Sequence, residues 1–282
     1  MFAKRMTKMI VMAFLLAGIV FAAAFAAGWD ANAFHAIRAG DVETLKAALA
    51  AGLNPDGNNG NGIPLAEAVN YGQLEIVKLL VTKGANVNLQ VQGLTPAAAA
   101  AQRGQVIMVD FLLDNNADKI SKEQVLAILA GKGDVQRVEK LLAMGVSIEG
   151  ADPEGTGLMH AAESGKLEMV KLFLSRGANP NADSTGIGIS GKKTILMAAL
   201  AYPEIVRMLI DKGAKVNISG GRASTSIVGM AAAKAPLETV QMLVEAGADV
   251  NIPDKRGITP LRQALDAGRT EVADYLRSVG GH

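Results

Sequence analysis

Three stretches of this chain superpose on one another without a gap. Gly72 to Asn88 reads GQLEIVKLLVTKGANVN, Gly165 to Asn181 reads GKLEMVKLFLSRGANPN, and Ala235 to Asn251 reads APLETVQMLVEAGADVN. The divergent IVRMLIDKGAKVN from Ile205 to Asn217 joins them. Such a period constrains the fold more tightly than composition can, because a unit this short cannot bury its apolar face alone and must cover it with the next copy. Gly52, Gly84, Asn116, Gly145, Gly177, Gly213, Gly247 and Gly280 share one equivalent slot, at intervals of 32, 32, 29, 32, 36, 34 and 33 residues. A chain of 282 residues would otherwise suggest one or two globular domains of about 150 residues each. The period replaces them with eight small units.

Upstream of each slot runs an apolar pattern at helical spacing, such as Ile76, Val77, Leu79, Leu80 or Val170, Leu172, Phe173, Leu174. The slot ends that helix. A residue with φ > 0 is wanted there, which explains glycine at seven of the eight positions and asparagine, the next most tolerant type, at the other. A shorter alanine-rich helix precedes it: PLAEAV, PAAAAA and LMHAAE lead into the turn glycines Gly72, Gly104 and Gly165. Each unit is therefore read as a helix, a tight turn, a second helix and an extended finger.

These residues resemble the ankyrin repeat, about 33 residues long, with its pattern T-P-L-H-x-A-A-x-x-G followed by V-x-x-L-L-x-x-G-A-x-x-N. Thr95-Pro96 and Thr259-Pro260-Leu261 reproduce the opening, Ile63-Pro64-Leu65 approximates it, and GAN, GAK and GAD reproduce the close. The fold class expected is all-α, an ankyrin-repeat solenoid of about eight helix-turn-helix repeats with finger loops. The fourth unit, Ile120 to Gly145, has no Thr-Pro opening, and the sixth has Pro203 near its inter-helix turn and is two residues short there. Repeats near 31–52 and 259–280 are read as caps: Asp30 is a good N-cap for the first, and Arg269, Glu271, Asp274 and Arg277 give the last a polar second helix.

The first thirty residues stand apart. Lys4, Arg5 and Lys8 precede an uncharged run from Met9 to Ala27, and Ala24-Phe25-Ala26 supplies a small-x-small site. That order reads as a secretory signal over 1–26, leaving 27–282 as the repeat domain. The alternative is an uncleaved anchor, since the same run could just cross a bilayer of about 30 Å. Without residues 1–26 the chain carries 25 basic against 27 acidic side chains and keeps three Phe, three Tyr and one Trp. Neither a nucleic-acid coat nor a stacking groove is built from that. The chain has no cysteine, which excludes disulfides, thiolate metal ligands and a cysteine nucleophile.

Motifs with chemical overtones fail on context. Gly186-Ile-Gly188-Ile-Ser-Gly191 followed by Lys192 imitates a phosphate loop, but Lys193 stands where Ser or Thr would hold magnesium, and no strand precedes it. Asp114-Asn-Asn116-Ala-Asp118 imitates a calcium loop, but Lys119 replaces its glycine and Val125 its bidentate glutamate. His35, His160 and His282 are dispersed, and His160 lies in or beside the histidine slot of the family pattern, where that residue usually serves structure. Asn217-Ile-Ser219 is a glycosylation sequon only in a eukaryotic secretory route. No cofactor, metal or catalytic residue is expected.

The resemblance implies partners in the concave groove formed by the fingers and first helices. The residues before each turn include Arg38, Tyr71, Arg103, Lys132, Glu163 and Lys234, with Arg38, Arg103 and Lys132 as a basic strip and Tyr71 as an amphipathic anchor. The fingers after Gly177 and Gly213 are long, 17 and 13 residues against 11 in most of the others, and carry Lys192, Lys193 and Arg222. Insertions in repeats map to loops on one face, often the binding face. The reading is a monomeric, non-catalytic protein of the periplasm or exterior that binds an envelope enzyme or toxin and neutralises it. It involves no nucleic acid, and no membrane after signal cleavage. A scaffold supporting stress defence is the alternative, and a phosphate-binding enzyme stands well behind both. N-terminal sequencing of exported protein is expected to begin at Ala27; a chain still beginning at Met1 would favour the anchor.

Overall fold

The computed structural model describes residues 31–57, 62–182, 193–221 and 223–282. The expected signal, Asp30, the Gly186–Gly191 run, Lys192 and Arg222 lie outside the described residues. Two compact units divide the chain, one ending at Ser121 and the other beginning at Lys122. The first contains the pairs α1 (Ala31–Ala39) and α2 (Val42–Ala50), α3 (Pro64–Asn70) and α4 (Leu74–Thr82), and α5 (Pro96–Gln102) and α6 (Val106–Asp114). The division falls in the first turn of α7 (Lys119–Lys132). The second continues with α8 (Val135–Ala143), then the pair α9 (Gly157–Glu163) and α10 (Leu167–Ser175), and the pair α11 (Ile195–Ala198) and α12 (Pro203–Asp211). It ends with α13 (Ile227–Lys234) and α14 (Leu237–Glu245), and α15 (Pro260–Asp266) and α16 (Thr270–Ser278). A short antiparallel ribbon, β1 (Ser219–Gly220) and β2 (Thr225–Ser226), precedes α13. Among the described residues no helix is long and apolar enough to cross a membrane.

Local chemistry sets the helix starts. Thr95, Thr156, Thr194, Ser226 and Thr259 each turn a hydroxyl oxygen to the backbone N–H three residues ahead, at 3.1–3.4 Å. This satisfies one of the donors that a helix N-terminus leaves over. Pro64, Pro96 and Pro260 occupy the first helical turn, where no N–H is missed. At the other end, all eight slot residues take positive φ, from 63° at Asn116 to 100° at Gly52. A Cβ on any of the seven glycines would meet nothing within 4 Å, so backbone conformation and not space selects glycine there.

Within each unit the first helices pack on one another through small residues. In α5, Ala97, Ala98, Ala100 and Ala101 are all buried, which lets neighbouring helices approach closely. Larger side chains fill the layer beneath, with Phe173, Leu126, Leu158 and Met169 fully enclosed in the second unit. Gly157 stands where other repeats carry proline because Phe173 leaves no room: a Cβ there would lie 2.6 Å from its ring.

A polar clamp repeats beside this apolar core. Asn181 donates from Nδ2 to the carbonyl of the positive-φ residue Gly213 at 2.9 Å and accepts at Oδ1 from the Lys215 N–H at 2.8 Å. Asn88 does the same with Asn116 and Asp118 (3.1 and 3.0 Å), and Asn217 with Gly247 and Asp249 (3.0 and 2.8 Å). Asn251 repeats it with Gly280 and His282 (3.1 and 3.1 Å). Each asparagine closes its own repeat in sequence and grips the helix end of the next. Asp56 and Glu149 supply the accepting half alone, to the N–H groups of Asn86 and Asn179.

Two repeats depart from the expected plan. In the fourth, which lacks a Thr-Pro opening, helix takes most of the place of a finger, because the Asp118 carboxylate caps the Ser121 N–H at 2.7 Å and starts α7 at Lys119. The sixth shows the expected shortening: α11 is a single turn, and the Tyr202 ring packs on Gly165 of the preceding repeat. Arg269, read as part of the outer polar helix, instead stands at the start of α16 and donates to the carbonyls of Ala231 and Ala232 at 3.1 and 3.3 Å. Asn181→Ala removes two hydrogen bonds between repeats and is expected to lower unfolding free energy by about 2 kcal/mol, at about 1 kcal/mol per bond. The check is a lower urea midpoint at unchanged slope.

Candidate functional site

In four of the repeats the backbone at or just after the end of the first helix is held from the next repeat. Gln73 Nε2 donates to the Arg38 carbonyl, and Gln105 Nε2 to the Val69 carbonyl, both at 2.9 Å. Arg269 repeats the tie in the last repeat, and Thr239 Oγ1 reaches the Leu200 carbonyl at 3.3 Å. These bonds reach carbonyls at helix C-terminal ends, where intrahelical partners run out; those of Val69 and Ala231 also accept from the Gly72 and Ala235 N–H groups. They also fix the side chains carried there.

In the first unit, Arg38 and Tyr71 come together. The Arg38 guanidinium lies 5.8 Å from the centre of the Tyr71 ring, within the range of cation–π attraction. Its Nε donates to Glu67 Oε1 at 2.6 Å, and that bond, with the charge of Glu67, raises the pKa of Arg38 above its ordinary value. The result is a locally neutral plate rather than a free cation, with Tyr71 52% exposed. Arg103 is exposed at the end of α5, its Nη1 donating to the Ala99 carbonyl of its own helix at 3.2 Å.

In the second unit, Lys132 is exposed at the end of α7. Glu163 ends α9 and accepts from Lys193 Nζ at 2.6 Å, so these two residues, read from different features of the sequence, form one neutral pair. Lys234 ends α13 and lines an open hollow of about 510 Å³ beside α15, together with Met230, Arg256, Ile258, Gln263 and Asp266. Arg256 and this hollow were not legible from the periodicity. Arg256 is placed by Asp254, whose carboxylate is fully enclosed: Oδ2 accepts from Arg256 Nε and Nη2 at 3.1 and 2.9 Å, and Oδ1 from the N–H groups of Arg256 and Ile258 at 2.9 and 3.0 Å. Burial pushes the Asp254 pKa up, but the Ile258 N–H and the bonds from Arg256 outweigh it and hold the carboxyl below its ordinary value.

Asp152 is the counterpart of Asp254 in the finger before α9, accepting at Oδ1 from the N–H groups of Glu154 and Gly155 at 2.8 and 3.0 Å. His160 Nε2 lies 2.9 Å from the same oxygen. The shared spelling Asp-x-x-Gly, at Asp152–Gly155 and Asp254–Gly257, is the signal that would have identified both. His160 thus closes its own finger, a structural role. The residues of the imitation calcium loop are likewise used locally: Asp118 caps α7 and Asn115 donates to the Phe111 carbonyl at 2.8 Å. Among the described residues no group of three or more His, Cys, Asp or Glu is arranged to hold a metal ion.

Burial alone would lower the His160 pKa, but the hydrogen bond and charge of Asp152, with Glu154 and Glu163 adding, raise it above its ordinary value.

Residues 33–123 and 126–220 match the family described as ankyrin repeats (3 copies), and 230–277 match ankyrin repeats (many copies). The chain is similar to the ankyrin repeat, SAM and basic leucine zipper domain-containing protein 1 of Dasypus novemcinctus, 34% identical over 37% of this chain and 22% of that protein. It is 32% identical to cyclin-dependent kinase 4 inhibitor B of Homo sapiens, over 44% of this chain and 88% of the inhibitor. The chain spans only about a fifth of the first of these relatives.

A histidine whose pKa is raised on folding contributes stability that is complete below its unfolded value of about 6.5 and is lost as pH rises through the folded value. The stability difference between the protein and His160→Gln is therefore expected to be about 1.5 kcal/mol below that value, the scale of a hydrogen bond between charged groups. It shrinks towards alkaline pH, as read by urea unfolding across pH 5.5–9.

Proposed function

Because the chain belongs to the ankyrin-repeat family, whose members typically act as non-catalytic protein-interaction modules, we propose that it is an exported protein that binds an envelope enzyme or toxin and neutralises it. Within each unit the ends of the first helices and the fingers form the binding surface. The observation that carries this reading is the plate of Arg38 and Tyr71, braced from behind by Glu67 and Gln73. Tyrosine and arginine are enriched among the residues that dominate binding energy at protein interfaces. A braced pair loses little conformational freedom on binding, so more of its contact energy remains as affinity.

Inhibition is the specific form proposed because a protein named for inhibiting a cyclin-dependent kinase is 32% identical to this chain over 88% of its own length. Export rests on the basic-then-apolar order of residues 4–27 and the small residues that close it.

The test is capture of a partner from an envelope extract by the protein, followed by measurement of the activity of the captured enzyme. Arg103→Glu in the first unit and Lys132→Glu in the second are each expected to weaken capture at least tenfold, with activity restored. Equal capture by both variants would remove the basic positions from the account. A captured enzyme that stays fully active would contradict inhibition.

A further inference from the structure

The hollow beside α13 and α15 deepens the binding role just described and rests on it: we propose that it receives an acidic side chain of an extended partner segment, with an apolar neighbour of that side chain seated against Met230 and Ile258. Charge favours such an occupant. Asp266 is compensated by Arg262 at 2.8 Å, and Arg256 by Asp254 at 2.9 Å. Lys234 is exposed, and among the described residues no carboxylate pairs with it. Of the charged residues that line the hollow, it is therefore the one without an oppositely charged partner among the described residues. Its place in the last turn of α13 suits a cation, since the C-terminal end of a helix carries partial negative charge. An incoming carboxylate completes the balance; an incoming cation would oppose it.

The second element is shape. Met230 and Ile258 are half-buried and give the floor an apolar area, with methionine able to adapt to different side chains. Gln263, which also lines the hollow, sets its Oε1 in the space left by Gly229, where a Cβ would lie 2.6 Å from it. A volume of about 510 Å³ holds a few side chains and falls within the range of specific binding clefts, roughly 300–1,000 Å³. One uncompensated cation is too few for nucleic acid, where neutralising a run of phosphates supplies the affinity.

The third element is rigidity. The ribbon β1–β2 forms one wall through Thr225 and is tied to the following finger by the Lys255 N–H and the Ala223 carbonyl at 2.9 Å. On that finger, the enclosed Asp254 holds the Arg256 guanidinium by two of its nitrogens, so its remaining donors stand at the rim in fixed directions. A guanidinium braced this way hydrogen-bonds a carboxylate with little loss of conformational freedom.

The experiment uses the protein labelled with ¹³C at its methionine methyl groups, the Met230 signal being assigned with Met230→Leu. The probes are two short peptides, acetyl-Gly-Leu-Glu-Leu-Gly-amide and the same peptide with Gln in place of Glu. The acidic peptide is expected to shift the Met230 methyl signal saturably and to bind at least tenfold more tightly than the Gln peptide, which is about 1.4 kcal/mol. Lys234→Glu is expected to abolish the shift and Lys83→Glu, at an exposed lysine that ends α4 in the first unit, to leave it unchanged. Equal response to the two peptides, a response that survives Lys234→Glu, or no response to either overturns the assignment of this hollow. The broader binding role is read separately: a partner still captured by Lys234→Glu with undiminished affinity would leave that role standing while this site falls.

Discussion

Within each compact unit no described helical pair completes its own core, and its closure by a neighbouring pair is the constraint from which the rest of the structure follows. The apolar stripe of a second helix such as α10, with Met169, Val170, Phe173 and Leu174 buried, is far wider than one short first helix can cover. Stacking supplies the missing cover, and the asparagine clamp gives it a register. Asn181 cannot make its two bonds unless Gly213 presents its carbonyl and Lys215 its N–H in the geometry that a positive φ at Gly213 creates. The backbone conformation at one helix end and the hydrogen bonds to the repeat before it are thus a single requirement.

The same closure decides what is left for binding. Backbone carbonyls at the ends of the first helices are answered by Gln73, Gln105 and Arg269 from following repeats. Enclosed finger carboxylates are used up in holding their own loops, Asp152 by way of Glu154, Gly155 and His160, and Asp254 by way of Arg256 and Ile258. What remains outward includes the exposed side chains of Tyr71, Arg103, Lys132 and Lys234, with the backbone next to Tyr71 and Lys234 held from following repeats. A surface of this kind, rigid beneath and varied above, suits recognition by shape and charge.

Most of the architecture was legible because each requirement leaves its own residue type. The helix-ending slot demands positive φ, so glycine marks it, and Asn116 confirms that conformation and not size is being selected. Threonine and serine mark helix starts, and alanine marks the first helices. The fourth repeat was misread because its helix begins from an aspartate cap at Asp118, inside what periodicity placed in a finger. The site was less legible. Arg38 looked like a free cation because nothing in a linear pattern shows that Glu67, 29 residues away, reaches it at 2.6 Å. The pairing of Glu163 with Lys193 and the hollow at Lys234 likewise depend on side chains brought together from different repeats.

The claim that neighbouring repeats complete one another is tested most directly by native-state hydrogen exchange on the protein and on Asn217→Ala, the clamp that joins Gly247 and Asp249. Breaking this one contact is expected to speed exchange across the helices on both sides of it, α11 to α14, by a similar factor, because a repeat that loses its neighbour loses its own core. Faster exchange confined to the finger around residue 217, with those helices unchanged, would contradict the account.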